Sequence, residues 1–376
     1  MKRIIIEIDS EGNLVLPDRI KEKFGFVPGD KLILEEHEDR IQLSRSTHSL
    51  NRVYVEITNR CNLDCSICIR RTWDDQPGSM SLKSFQRIVK DIQCFNPVPE
   101  IFFGGFGESL SHPDIIEMIK QSKDIGAQTS LITNGILLSG DMSEKLVASG
   151  LDMLWVSIDG AHPESYLDVR LGDHLSQIIE NLEKFQSART KKHGSSSWSG
   201  KPTLGIAMVM MKKNAAELSD IVEMGKKLGA TDFFVTNALA YSKEIEQEVL
   251  YNKSIYHPDG AWNSSEPRLW LPRMDFEDPI PEAVGKLIQQ GYQVHVTGQR
   301  VNRNPLTCPF VAKGAMVIRW DGKISPCLSL MYKHTAIFED WHRQVYPYFV
   351  GDIHSESLAD LWNDRHYKTL REKLQE

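Results

Sequence analysis

The chain has 376 residues, 41% of them hydrophobic and 25% charged, with a formal net charge of −7. At roughly 100–200 residues per domain this is material for two or three packed units, and the acidic balance disfavours nucleic acid or an anionic membrane as the main partner. No run of about 20 apolar residues is present to span a bilayer, and the three isoleucines before Glu7 are too short for a secretory signal. The expected compartment is the cytoplasm, where clustered cysteines more often bind metal than pair as disulfides.

In chain order, residues 1–46 read as a small β module. "IIIEID", "LVLP", "KLILEE" and "RIQLSR" are short strands, "PDRIKEKFGF" a short helix, and "VPGDK" a tight turn. About 45 residues bury little core alone, so the module needs a partner surface. From residue 52 to about 240, strands alternate with helices. "VYVEIT", "EIFFGGF", "TSLITNG", "MLWVSIDG", "LGIAMVMM" and "DFFVTNAL" are short and apolar, as strands covered on both faces are. Between them lie segments with apolar residues at helical spacing, several ending at glycine. Six such units imply a parallel sheet, open or rolled into a partial barrel, with chemistry at the C-terminal ends of the strands. Residues 241–300, rich in proline, tryptophan and charge, read as an irregular connector with one helix near "PEAVGKLIQQG". Residues 301–376 form a third region, from the β-like "GAMVIRWDGKISPC" to a terminal helix.

Three of the six cysteines, Cys61, Cys65 and Cys68, fall within eight residues directly after the first of these strands, at C-x3-C-x2-C spacing. Soft thiolates select iron–sulfur clusters and zinc. Three ligands on one loop suit a [4Fe–4S] cube with one iron left open to a small molecule. A zinc site completed by a distant residue is the alternative, since no fourth His or Cys lies close in sequence. Cys94, ending the first helix, reads as a buried structural thiol.

"CNLDCSIC" resembles the signature of radical S-adenosylmethionine (SAM) enzymes, which fold as a partial (β/α)6 barrel. The likeness runs over residues 52 to about 240. "GGFGES" resembles the family's glycine-rich segment at the SAM amino group, and "ITNG" and "SIDG" resemble segments lining its pocket. The resemblance implies SAM contacts at Gly105, Gly107, Glu108, Asn134, Ser157 and Asp159. It also implies a carboxylate partner in Arg170 and packing of Ile67 on adenine. The implied chemistry is reductive cleavage of SAM to a 5′-deoxyadenosyl radical that abstracts a substrate hydrogen.

"CPFVAKGAMVIRWDGKISPC" and "GDIHSESLADLWNDRHYKTLREKL" resemble the opening and close of the SPASM or twitch extension, an α+β unit that holds auxiliary iron–sulfur clusters. The departure is that no cysteine follows Cys327. Cys308 and Cys327 either hold a second cluster with help from His334, His342, Asp321 or an outside ligand, or the fold persists without it.

The N-terminal module closely resembles AbrB/SpoVT swapped-hairpin domains, which implies a homodimer. Eight basic residues against ten acidic ones leave the module at −2, which is poor for phosphate contacts. The expected architecture is therefore α/β: swapped-hairpin module at 1–46, radical SAM partial barrel at 52–240, connector at 241–300, SPASM/twitch-like extension at 301–376. The whole most resembles maturases associated with tungsten-containing aldehyde:ferredoxin oxidoreductases. That implies action on a peptide, protein or protein-bound cofactor, here a tungsten or molybdenum pterin enzyme or its cofactor, with an electron from ferredoxin or flavodoxin. A peptide-modifying maturase is the alternative within the class, and an AbrB-like DNA-binding redox regulator the alternative outside it.

Overall fold

The computed structural model describes residues 7–18, 20, 32–36, 41–45, 49–194, 200–250, 268–271, 279–290, 293–296, 308–338 and 341–374. In the N-terminal module, β1 (Glu7–Ile8) pairs antiparallel with β2 (Leu14–Val15), and β3 (Leu32–Glu36) with β4 (Ile41–Arg45). The helix expected at "PDRIKEKFGF" lies mostly outside the described residues.

Alternation of short apolar strands with amphipathic helices then builds one parallel sheet. Its strands are β5 (Arg52–Val55), β6 (Glu100–Phe103), β7 (Thr129–Thr133), β8 (Met153–Ser157), β9 (Thr203–Met210) and β10 (Ala230–Asn237). They pair in sequence order, each parallel to the next, from Arg52 opposite Glu100 onward. The crossovers carry α1 (Leu82–Ile92), α2 (Ile115–Asp124), α3 (Gly140–Ser149), α4 (Pro163–Arg170), α5 (Leu175–His193) and α6 (Leu218–Lys227). Helix α1 shows how each is specified. Ser81 caps it by accepting from the Ser84 N–H, meeting one of the donors a helix start leaves unpaired. Phe85, Ile88 and Ile92 then fall on one stripe and are buried, each contributing about 1.5–3 kcal/mol of apolar burial.

That same stripe overturns the expectation for Cys94. The thiol is exposed. It follows the helix end at a position the 85–88–92 periodicity turns outward, and Phe95 takes the inward place beside it.

The stretch 241–300 also departs from the expected irregular connector. It adds β11 (Arg268–Leu271) and β12 (Gln293–Val296), parallel to β10 and to each other, with α7 (Ile280–Gln289) between them. Four residues between Pro267 and Pro272 were too short a strand signal against that composition. The C-terminal region joins the same sheet from the other side. β13 (Ala315–Ile318) runs parallel to β5, and β14 (Lys323–Ser325) and β17 (Gly351–Asp352) continue antiparallel. The hairpin β15 (His334–Phe338) and β16 (Trp341–Val345) stands apart from the sheet, and α8 (Leu358–Asn363) and α9 (Arg365–Lys373) close the chain. The sheet is open, with β12 and β17 at its ends. No helix among the described residues is long and apolar enough to cross a membrane.

Candidate active site

The three cysteines follow β5 at the C-terminal edge of the sheet, where parallel folds place their sites. Cys65 is buried, and Cys61 and Cys68 are half-buried. The loop is tied down locally: the Cys68 N–H donates to the Cys65 carbonyl at 3.1 Å, and the Leu63 N–H donates to Cys61 Sγ at 3.5 Å. Burial pushes the Cys61 and Cys68 thiols above their ordinary range. The neighbouring sulfurs add to this, while Arg70 works against it in both.

The donor set is three thiols on one loop, Cys65 buried and Cys61 and Cys68 half-buried; soft thiolates of this kind suit an iron–sulfur cube, whose ligands bind at separate corners.

The other expected site residues end the next strands, and the structure gives several of them partners of their own. Gly107 is pressed against the cysteine loop. A Cβ there would stand 2.0 Å from the Thr58 carbonyl oxygen, and one at Gly105 would stand 2.5 Å from Glu56 Cγ. These glycines let the β6 loop seat closely on the β5 loop. Glu108 is buried and accepts from Thr133 Oγ1 at 2.7 Å, the Asn134 N–H at 2.8 Å and the Leu110 N–H at 2.9 Å. It binds two strand ends together. Asn134 in turn donates through Nδ2 to Asn62 Oδ1 at 2.8 Å and lies 3.9 Å from Cys61 Sγ.

Asp159, fully buried, accepts the Val209 N–H at 2.7 Å and ion-pairs with Arg170 at 2.5 Å. Its carboxylate is held by these two partners within the chain. Arg170 ion-pairs with Asp159 and donates through Nη1 to Cys65 Sγ, 3.6 Å away. Ile67 packs with Val169, Met211, Ala238 and Ile245. Ser157, half-buried at the end of β8, has a side chain with no hydrogen-bond partner among the described residues.

Two groups that the sequence reading did not single out complete the site. Glu56, next to β5, is buried and takes hydrogen bonds from the Phe106 N–H at 3.0 Å and from the Tyr332 hydroxyl. Tyr332 belongs to the C-terminal extension and stacks on Trp73 at 3.7 Å, with Arg319 5.2 Å from its ring centre. An acid inside an otherwise apolar strand end, "VYVEIT", was the available signal. Beside this cluster a cavity of about 460 Å³ opens against Cys61, lined by Asn59, Arg60, Arg70, Trp73 and Asp75 among others. Arg60 and Arg70 donate to the Pro77 and Leu63 carbonyls, and neither ion-pairs with a carboxylate among the described residues.

Burial drives the Glu56 carboxyl up to about 7, against the hydrogen bonds from Phe106 and Tyr332 and the attraction of Arg319, with Asp321 adding to the rise. The folded chain thus holds a proton here that the unfolded chain releases near pH 4.5. Stability is expected to fall by roughly 3 kcal/mol as pH rises from about 4.5 to about 7, then level off. Urea unfolding across that range should show the slope, and Glu56→Gln should flatten it. An unchanged slope in the variant would assign it to another group.

In the extension, Cys308 precedes β13 and Cys327 follows β14. Burial pushes the Cys327 thiol up to about 11, and Cys308 contributes to the rise. Asp321 is taken by Arg319 at 2.5–2.9 Å, which removes it as a cluster ligand. His334 is buried with Nδ1 on the Tyr332 carbonyl at 3.0 Å. Two thiols alone do not complete a cube, so a cluster held here draws further ligands from beyond this pair.

Comparison with known proteins agrees with this geometry. The radical SAM superfamily profile matches residues 55–225, and the SPASM profile, an iron-sulfur cluster-binding domain, matches residues 308–376. A tungsten-containing aldehyde ferredoxin oxidoreductase cofactor-modifying protein of Pyrococcus furiosus is 28% identical over 320 residues, covering 85% of this chain and 82% of the relative. An AdoMet-dependent heme synthase of Methanosarcina barkeri is also 28% identical, but over 191 residues, about half of either chain. Among solved structures, SuiB of Streptococcus suis bound to its precursor peptide SuiA superposes with a TM-score of 0.58 at 14% identity, over 86% of this chain and 66% of that one. The enzyme anSMEcpe with bound AdoMet gives 0.56 at 16%, over 85% and 82%. Residues 55–225 are a radical SAM domain, a class whose cofactors are a [4Fe–4S] cluster and SAM, and residues 308–376 are a SPASM domain.

Proposed function

We propose that this enzyme modifies the cofactor of a tungsten-containing oxidoreductase. The observation that carries the reading is the extent of the likeness to the Pyrococcus protein, which spans more than four-fifths of both chains, where the heme synthase matches about half. When bound, the cluster and SAM together supply a 5′-deoxyadenosyl radical by one-electron reductive cleavage.

In this reading Cys61, Cys65 and Cys68 are the cluster ligands. Asn134 and Glu108 hold the β6 and β7 ends against them. Ser157 offers its hydroxyl to SAM, and Ile67 is an apolar wall for the adenine. The cavity beside Cys61 receives the substrate. Arg60 and Arg70, which donate to backbone carbonyls and ion-pair with no carboxylate among the described residues, suit an anionic group, and Trp73 presents an aromatic surface to a flat ring. Glu56 and Tyr332 fix the C-terminal extension over this cavity. The electron comes from a ferredoxin- or flavodoxin-class protein, and the module at 1–46 pairs two chains. A sedimentation mass of one chain would remove that last element.

The test is anaerobic reconstitution with SAM and dithionite, with and without the oxidoreductase purified before maturation. Methionine and 5′-deoxyadenosine are expected, formed faster when the oxidoreductase is present, with a mass change in its cofactor. Stimulation by a ribosomal precursor peptide, and none by the oxidoreductase, would overturn the substrate assignment.

A further inference from the structure

Glu56 stands where three parts of the molecule meet. It follows β5 directly, and its N–H donates at 2.9 Å to the carbonyl of Ile318, the last residue of β13 in the C-terminal domain. Its side chain is buried, and its two carboxylate oxygens are divided between partners. Oε1 accepts the Phe106 N–H at 3.0 Å, and Oε2 accepts from the Tyr332 hydroxyl.

Phe106 sits in the middle of the glycine loop "GGFGES". Backbone bonds fix the two ends of that loop. The Gly104 N–H donates to the Val55 carbonyl at 3.1 Å, and the Glu108 N–H to the Arg60 carbonyl at 2.8 Å. Between them the loop rests on Glu56, so closely that a Cβ at Gly105 would stand 2.6 Å from Oε1. The carboxylate is both the seat of the loop and its hydrogen-bond partner.

Tyr332 aims that carboxylate from the other domain. The tyrosine is fully buried, with Trp73 3.7 Å from its ring, Phe106 edge-on at 5.8 Å and the Arg319 guanidinium at 5.2 Å. Arg319 is in turn held by Asp321 at 2.5 Å and lies 3.6 Å from Asp75. A ring enclosed on these sides gives its hydroxyl one place, and a buried oxygen without a partner is costly.

We propose that Tyr332 is a positioning residue for SAM binding: through Glu56 it holds the glycine loop in the shape that takes SAM, so the C-terminal domain sets how tightly the barrel binds its cofactor. A loop already ordered in its binding shape loses less freedom when the ligand arrives. Tyr332 acts only through the carboxylate, since its hydroxyl meets Oε2 while the loop meets Oε1.

The inference rests on the reading of this loop as a SAM contact, and the experiment separates the two. Full-length wild type, Tyr332→Phe, Glu56→Gln, Glu56→Ala and the Tyr332→Phe/Glu56→Ala double variant are compared. Amide hydrogen exchange over residues 104–108 is read without iron or SAM, and SAM affinity by equilibrium dialysis after anaerobic reconstitution. Wild-type protein that takes up iron and binds no SAM sinks the SAM site itself. Otherwise Tyr332→Phe should exchange faster over 104–108 alone and bind SAM about tenfold more weakly. The loss should fall on KM for SAM more than on kcat. Glu56→Gln, which keeps an oxygen for Phe106 and an amide for Tyr332, should lose less than Glu56→Ala. In the Glu56→Ala background, Tyr332→Phe should add nothing. If Glu56→Ala does not fold, Tyr332→Phe and Glu56→Gln decide the matter. Unchanged exchange in Tyr332→Phe overturns the proposal, as does faster exchange with SAM affinity within about twofold of wild type. Exchange raised throughout the barrel also overturns it, since that marks a general loss of stability, and so do additive losses in the double variant.

Discussion

Replacing Cys61, Cys65 and Cys68 together with alanine is expected to abolish both the iron content of this site and SAM cleavage, down to background. The loop offers no substitute ligand. The fourth free thiol of the barrel, Cys94, is exposed at the far end of α1, and the acids nearest the trio are committed elsewhere: Asp64 to Arg71 at 2.7 Å, Glu108 to three donors. The fold should survive, because the three side chains contribute little to the core beside Val53, Val55 and Ile57. Far-ultraviolet circular dichroism close to wild type, with iron lost and no 5′-deoxyadenosine formed, is the expected pattern. Iron counting carries further information. About four irons lost from a total of about eight would leave a second cluster on the SPASM domain, and loss of all iron from a total of about four would leave none. A triple variant that still cleaves SAM would end the assignment.

Glu108→Ala should be the most damaging single change at the site. The carboxylate is buried, and its removal strands the Asn134 and Leu110 N–H groups and the Thr133 hydroxyl. An unsatisfied buried polar group costs about 1–3 kcal/mol. Against this, burial already pushes the Glu108 carboxyl above its ordinary range, so part of the loss is recovered when the charge goes. A net loss of roughly 3 kcal/mol is expected, seen as a drop in Tm of several degrees. Glu108→Gln keeps one acceptor oxygen and should lose about half as much. Because Asn134 ends β7 facing Cys61, the alanine variant should also bind iron more weakly than its stability loss alone explains. Glu108→Ala with wild-type Tm would show that those donors find water or other partners.

Much of this enzyme is legible along the chain because its signals are local. The C-x3-C-x2-C loop, the glycines of "GGFGES" and the strand endings "ITNG" and "SIDG" each follow a short apolar strand, and a parallel sheet brings all such endings to one edge. Which end of the sheet carries the chemistry therefore follows from alternation alone. What was not legible depends on who meets whom across the chain. Pro267 and Pro272 hid β11, since four residues say little without the neighbouring β10 to pair with. Cys94 was misplaced because burial past a helix end depends on the turn that follows.

The roles within the site divide the same way. The sequence by itself determined that three thiols sit on one loop at the end of the first strand of the parallel sheet, since ligand spacing and strand order are both properties of the linear chain. Only the tertiary structure decided how the polar residues are spent. Arg170 pairs with Asp159, 11 positions earlier, and also reaches Cys65, 105 positions earlier. Glu56 meets Tyr332 across 276 positions. A charged side chain named from a motif has several candidate partners, and burial, which makes an unpaired charge costly, selects among them only once the chain has folded.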